Sequence, residues 1–123
     1  MREIEFRGKP IEDYGDTKWF YGNAVINYED KLAYIEAVGQ GFVPVKWDTV
    51  GQYTCLEDKN GNRIYEGDII NFKLDDYTVP FTQYIKFVGG TYQTDDYHFY
   101  LHEISHNVEI IGDIYENPEL LQN

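Results

Sequence analysis

Between Val50 and Phe72 the chain reads VGQYTCLEDKNGNRIYEGDIINF, and no other stretch constrains the fold as strongly. Gln52 to Leu56 is rich in β-forming residues. The polar run Glu57-Asp58-Lys59-Asn60-Gly61-Asn62 follows, and its Asn60-Gly61 pair accepts a positive φ without steric penalty, so the chain can reverse there. Arg63-Ile64-Tyr65 supplies the return strand. Glu66-Gly67-Asp68 turns again, with positive φ expected at Gly67, and Ile69-Ile70-Asn71-Phe72 has the branched and aromatic composition of a buried strand. A hairpin, a Gly-Asp corner and a committed strand in this order suit a small barrel.

The whole chain sets the outer bounds. Its 123 residues make one domain, enough for a modest core but too few for two large lobes around a deep cleft. An aromatic content of 17%, with 12 tyrosines, favours an all-β globule over disorder despite the high charge. Ten basic residues face 22 acidic ones, a net charge of −12, which opposes non-specific binding to nucleic acid and to anionic membranes. Cys55 is the only cysteine, so an intrachain disulfide is impossible and a reducing compartment is expected. The charged N-terminus has no apolar h-region and no segment reaches transmembrane length, so a cytoplasmic location is expected.

From Val50 to Ile70 the sequence resembles the YopX family of phage and prophage proteins, whose hallmark runs VGQYTGLKDKNG, two variable residues, then IYEGDIV. Cys55 stands where the family usually has glycine. Glu109-Ile110-Ile111-Gly112-Asp113-Ile114-Tyr115-Glu116-Asn117-Pro118-Glu119-Leu120 is similar to the family's EVIGNIYENPEL, and Met1 to Arg7 fits more loosely. The resemblance implies the family's fold and a bacterial host cell as the setting. It implies no catalytic or binding residue.

Taken in order, Arg2 to Arg7 alternates as a half-buried strand with Ile4 and Phe6 on one side and Glu3, Glu5 and Arg7 on the other. Lys9 to Asp16 reads as a loop. Lys18–Tyr21 and Ala24–Tyr28 suggest a hairpin through Gly22-Asn23, and Leu32–Val38 and Phe42–Trp47 suggest further strands. A boundary is expected near Trp47-Asp48, giving an N-terminal β lobe over residues 1–47 and a signature lobe over 48–123. Thr78 to Val88 is β-prone and broken at Pro80, which cannot donate to a ladder. His98 to His106 fits helix or strand equally, and Asn107–Ile114 reads as the last strand. Asn117-Pro118-Glu119 has the pattern of a helix start, with Asn as N-cap and Pro at the first helical position.

Four features could carry chemistry. His102-Glu103-Ile104-Ser105-His106 satisfies the H-E-x-x-H pattern, in which two histidines on one helical face bind zinc and the glutamate acts as general base. That chemistry also needs a continuous helix, a third ligand (His98, Glu109 or Asp113 by spacing) and a cleft; the simpler reading is exposed histidines. Asp58-Lys59-Asn60-Gly61-Asn62 opens like an EF-hand loop, but positions six and twelve would be Arg63 and Ile69 instead of Gly and Glu, so a hairpin turn accounts for it better. Asp75-Asp76-Tyr77 and Asp95-Asp96-Tyr97 could bind a hard cation or a basic partner, or be solvated loop tips. The acidic, tyrosine-rich composition could form an interaction surface, or simply fill strand faces and maintain solubility. Cys55 has too little context to be a nucleophile.

The sequence therefore predicts an all-β protein, with a small SH3-like barrel formed by the signature and the C-terminal strand beside an N-terminal β-hairpin lobe. Its expected role is non-enzymatic and without cofactor or metal, through a protein partner or homo-oligomer. A small zinc-dependent hydrolase using His102, Glu103 and His106 is the alternative.

Overall fold

The structure is a computed structural model and describes residues 1–121. Two compact units divide after Tyr53, within a single strand.

In the first unit, β1 (Phe6–Gly8), β2 (Phe20–Asn27), β3 (Leu32–Ala37) and β4 (Gly41–Val45) join the start of β5 (Gly51–Glu57). The antiparallel order is β4-β3-β2-β1-β5, with Phe6 opposite both Gly22 and Gln52. Strict alternation along β3 puts Ala33, Ile35 and Ala37 inside, where they pack with Phe20, Val43 and Val45. The expected hairpin at Gly22-Asn23 does not form, because β2 runs straight through it. Gly22 instead allows the strands to approach, since a Cβ there would run into the Glu36 carbonyl. The reversal falls at Tyr28–Lys31, where the Asn27 side chain accepts from the Asp30 N–H and donates to its carboxylate. The inside and outside of the first strand also differ from the simple alternation. Ile4 is exposed, whereas Arg7 is 5% exposed with its guanidinium 4.1 Å from the centre of the Trp19 ring, which the Lys9 ammonium also approaches, at 4.6 Å. Cation–π contact makes burial of this arginine tolerable.

The free edge of β4 is closed to strand addition. Pro44 has no N–H, its carbonyl accepts from Ile11 N–H at 3.1 Å, and Lys46 N–H donates to the Lys9 carbonyl at 2.8 Å.

The second unit begins with the rest of β5 and contains β6 (Arg63–Tyr65), β7 (Asp68–Phe72), β8 (Phe81–Val88), β9 (Thr91–Thr94), the single-turn helix α1 (Leu101–Ile104) and β10 (Glu109–Asp113). β10, β7, β8 and β9 form an antiparallel sheet in that order. Ile64, Ile70, Phe72, Ile85, Leu101, Ile104 and Val108 make its core. Pro80 ends the preceding loop, and β8 starts at the next residue, as a residue without an N–H would dictate. Asn107–Ile114 contributes the shorter β10, which shifts register between Ile110 and Gly112.

The protein is thus all-β, as its sequence predicts, but both antiparallel sheets are open and the described residues form no closed barrel. β6 pairs with β5, whereas β7 is flanked by β8 and β10. The Glu66-Gly67 corner therefore passes the chain from one sheet to the other instead of closing a single sheet on itself.

Cys55 has φ +68, a left-handed conformation that costs a side chain about 1–2 kcal/mol. Thr54 holds this kink, its hydroxyl donating to the Ile64 carbonyl at 2.8 Å and accepting from Leu56 N–H at 3.2 Å. Cys55→Gly is expected to stabilise the protein by about 0.5–1 kcal/mol in urea unfolding, the relieved strain exceeding the added chain entropy. A loss of stability would mean that the cysteine side chain contributes more than its backbone costs.

Candidate functional site

Two acidic residues of the signature, Asp58 and Asp68, serve the backbone. Asp58 is buried, and its Oδ1 accepts from Asn60 N–H and Asn62 N–H at 2.9 Å each, closing the hairpin turn. Its Oδ2 accepts from Ile110 N–H in β10 at 3.1 Å. Burial pushes this carboxyl upward, but the N–H groups of Ile110, Asn62 and Asn60, with the Asn62 side chain, outweigh it and hold the pKa below the ordinary value. All the geometry that resembles an ion-binding loop is thus taken by the protein's own amides. Asp68 Oδ2 likewise accepts from Tyr65 N–H at 2.7 Å across the Glu66-Gly67 turn. Asp113 Oδ1 accepts from Tyr115 and Glu116 N–H, and Asn117 Oδ1 accepts from Asp113 N–H at 3.2 Å. Asn117 stands where a helix N-cap is expected, immediately before the 3₁₀ helix Pro118–Leu121 that opens on proline, and its side chain ties down the end of β10.

The H-E-x-x-H residues do not share one helix. His102 and Glu103 lie on α1, which ends at Ile104, and His106 lies in the following 3₁₀ turn, Ser105–Asn107. All three face solvent while Leu101 and Ile104 enter the core, and His102 stacks on Tyr100 with ring centres 5.7 Å apart. Among the described residues no three His, Cys, Asp or Glu side chains gather into a set that could hold a metal ion.

The Asp-Asp-Tyr turns, in contrast, converge. Tyr77 and Tyr97 both meet Phe81 edge-on, at ring-centre distances of 4.9 and 5.4 Å. Phe81 stacks on buried Phe72 at 5.3 Å, and Phe99 contacts Phe72, Phe81 and Tyr97. An aromatic column therefore runs from the core to the surface and ends in two tyrosines, 44% and 64% exposed, with Val79 exposed two residues after Tyr77. Asp75, Asp76 and Asp96 lie exposed in the turns that carry these rings.

The second turn is held firmly. Tyr84 N–H donates to Asp95 Oδ1 and Asp95 N–H to the Tyr84 carbonyl, both at 2.9 Å. The fully buried Thr94 hydroxyl donates to the Asp96 carbonyl at 2.7 Å and accepts from Phe99 N–H at 3.0 Å. Between these anchors Tyr97 and His98 adopt φ of +60° and +51°, two consecutive left-handed side-chain-bearing residues. Such strain persists only where the surroundings over-determine it. Its effect here is to present Tyr97 beside Tyr77.

Charge is distributed unevenly. Residues 1–53 carry six basic and nine acidic side chains, whereas residues 54–123 carry four and thirteen. The aromatic column emerges from the more acidic part. No helix among the described residues is long and apolar enough to cross a membrane.

An all-β chain of two open antiparallel sheets, with Asp58 and Asp68 fastening its turns, belongs to the class of small β-sheet domains. The YopX protein family profile matches residues 11–122, and the chain belongs to the YopX family. It is similar in structure to protein EF1440 from Enterococcus faecalis, known from a crystal structure, with a TM-score of 0.55 and 23% sequence identity over 99% of this chain and 100% of that one. That likeness concerns the fold. No curated protein matches the sequence.

Proposed function

We propose that this YopX-family protein is a non-enzymatic interaction module of phage or prophage origin, acting in the cytoplasm, and that its Tyr77–Phe81–Tyr97 surface binds a basic segment of a protein partner. The observation that carries the reading is the presentation of Tyr97, 64% exposed and held at positive φ, next to Tyr77 on a shared Phe81 base. Tyrosines supply rigid contact area at low entropic cost, and their ring faces attract guanidinium and ammonium groups. The flanking aspartates add long-range attraction for the same partner and oppose nucleic acid.

Edge pairing is a poor competitor as the mode of binding. The β4 edge is closed as described, the Tyr65 N–H of β6 is taken by Asp68, β9 is covered through the Thr94 N–H bond to the Phe99 carbonyl, and the Ile110 N–H of β10 is taken by Asp58. Side-chain surfaces remain.

The test is a pull-down from host lysate with wild type and a Tyr77→Ala, Tyr97→Ala double variant, which leaves the net charge unchanged. Wild type should retain a salt-sensitive basic protein, and the variant should lose about 30-fold in affinity for it, as for two hot-spot aromatic residues. Equal retention by both proteins would show association driven by charge alone, and recovery of no salt-sensitive partner would reject the module reading.

A further inference from the structure

A second surface, in the first unit, has the opposite character. On the outward side of β2, β3 and β4 the exposed residues Tyr21, Val25, Leu32, Tyr34, Phe42 and Pro44 form an apolar face. The register makes it continuous: Val25 lies opposite Tyr34, and Tyr34 opposite Pro44, so one apolar row crosses all three strands. Glu36, opposite Phe42, is the one charged residue that these three strands turn outward.

We propose that this face is a two-fold interface between two copies of this chain. Charge selects the occupant. A basic partner would find only Glu36 to complement on the outward side of these three strands. Two copies at −12 each repel wherever their carboxylates are brought together, and like-charge juxtaposition costs several kcal/mol. This face is where they can meet with least repulsion while burying aromatic and aliphatic surface, the composition typical of an interface core.

Shape supports the same occupant. Beside the face lies an open depression of about 530 Å³ whose wall includes Ile4, Gly22, Gly39 and Gly41, and a Cβ at Gly39 or Gly41 would meet open space. Phe42, 59% exposed, follows Gly41 directly, so a protruding ring and a recess adjoin on one surface. A two-fold axis makes such a pair reciprocal, each Phe42 entering the recess of the other copy. The blocked β4 edge directs association to the face and so to a closed pair instead of an extended sheet.

Sedimentation of the full chain from about 1 µM to about 1 mM should show mass rising reversibly from 14.5 kDa toward twice that value. Phe42→Glu and Tyr34→Glu, each checked for retained β-structure by circular dichroism, should each raise the dimer dissociation constant at least tenfold. If one of them does not fold, the other decides. Tyr97→Ala should dimerise like wild type, which separates this surface from the partner-binding one. A wild type that stays monomeric across the range, or dimerisation unchanged in a folded Phe42→Glu or Tyr34→Glu protein, overturns the proposal.

Discussion

Gly67→Val is expected to lower stability by about 3–5 kcal/mol, the largest loss we anticipate from any single substitution, with no specific effect on binding in whatever fraction folds. Gly67 has φ +90, and about 1–3 kcal/mol is the cost of holding an ordinary residue in such a conformation. A Cβ there would lie 3.2 Å from Tyr115 Cε2 and close to the Ile114 side chain, so the larger valine overpacks the corner for about 1–3 kcal/mol more. Relaxation is blocked on both sides of the residue. Its N–H donates to the Ile85 carbonyl at 2.8 Å and its carbonyl accepts from Ile114 N–H at 2.9 Å, which ties the corner to β8 and to the end of β10. Urea unfolding measures the effect, and a variant within 1 kcal/mol of wild type would show that the corner is soft. Gly67→Ala should lose less, since it retains the strain but not the branched bulk.

Asp58→Asn should lower stability by about 2–3 kcal/mol at neutral pH, although it changes the volume hardly at all. One amide oxygen can still accept from Asn60 and Asn62, but the NH₂ group then points at Ile110 N–H, setting donor against donor in a buried place. The pH dependence identifies the charge as the cause. The folded-state pKa of Asp58 is depressed, so its contribution is fully present above the unfolded-state value of about 3.9 and is lost as pH falls through the lower folded value. The difference between wild type and Asp58→Asn should therefore be constant from about pH 7 to about pH 5 and shrink below about pH 4. A difference that does not change down to about pH 2 would assign the effect to shape alone.

Much of this was legible in the sequence because the decisive residues act locally. Asn60-Gly61 and Gly67 signal their turns through conformational freedom that needs no tertiary context, and both glycines have positive φ. The strands from Gln52 to Phe72 follow directly from them. What escaped was set by distant contacts. Gly22 looks like a turn residue but is required by the close approach of β3, and Arg7 is buried against Trp19 although its strand alternation points it outward. Barrel closure is likewise a property of pairing between elements far apart in the chain, which no local pattern encodes.

The aromatic site shows an intermediate case. Phe81 and Phe99 do not stand out as functional residues, yet a signal for their convergence was present. The two Asp-Asp-Tyr segments bracket the β8–β9 hairpin, one just before Phe81 and one just after Thr94, and the two ends of a hairpin must lie together. Repetition of the motif on either side of one hairpin therefore places both tyrosines at the same end. The H-E-x-x-H spacing carried no comparable support, because Leu101 and Ile104 between and beside the polar residues already account for it as one amphipathic turn.

The proposed function assigns partner contact to residues other than those that hold the fold, and ¹⁵N chemical-shift mapping during titration with an arginine-containing peptide tests that separation most directly. Shifts concentrated at residues 75–81 and 95–99, absent from the Asp58–Asp68 turns and lost in the Tyr77→Ala, Tyr97→Ala protein, are the predicted result. Shifts spread over every acidic loop, or centred on Asp58 to Asp68, would contradict it.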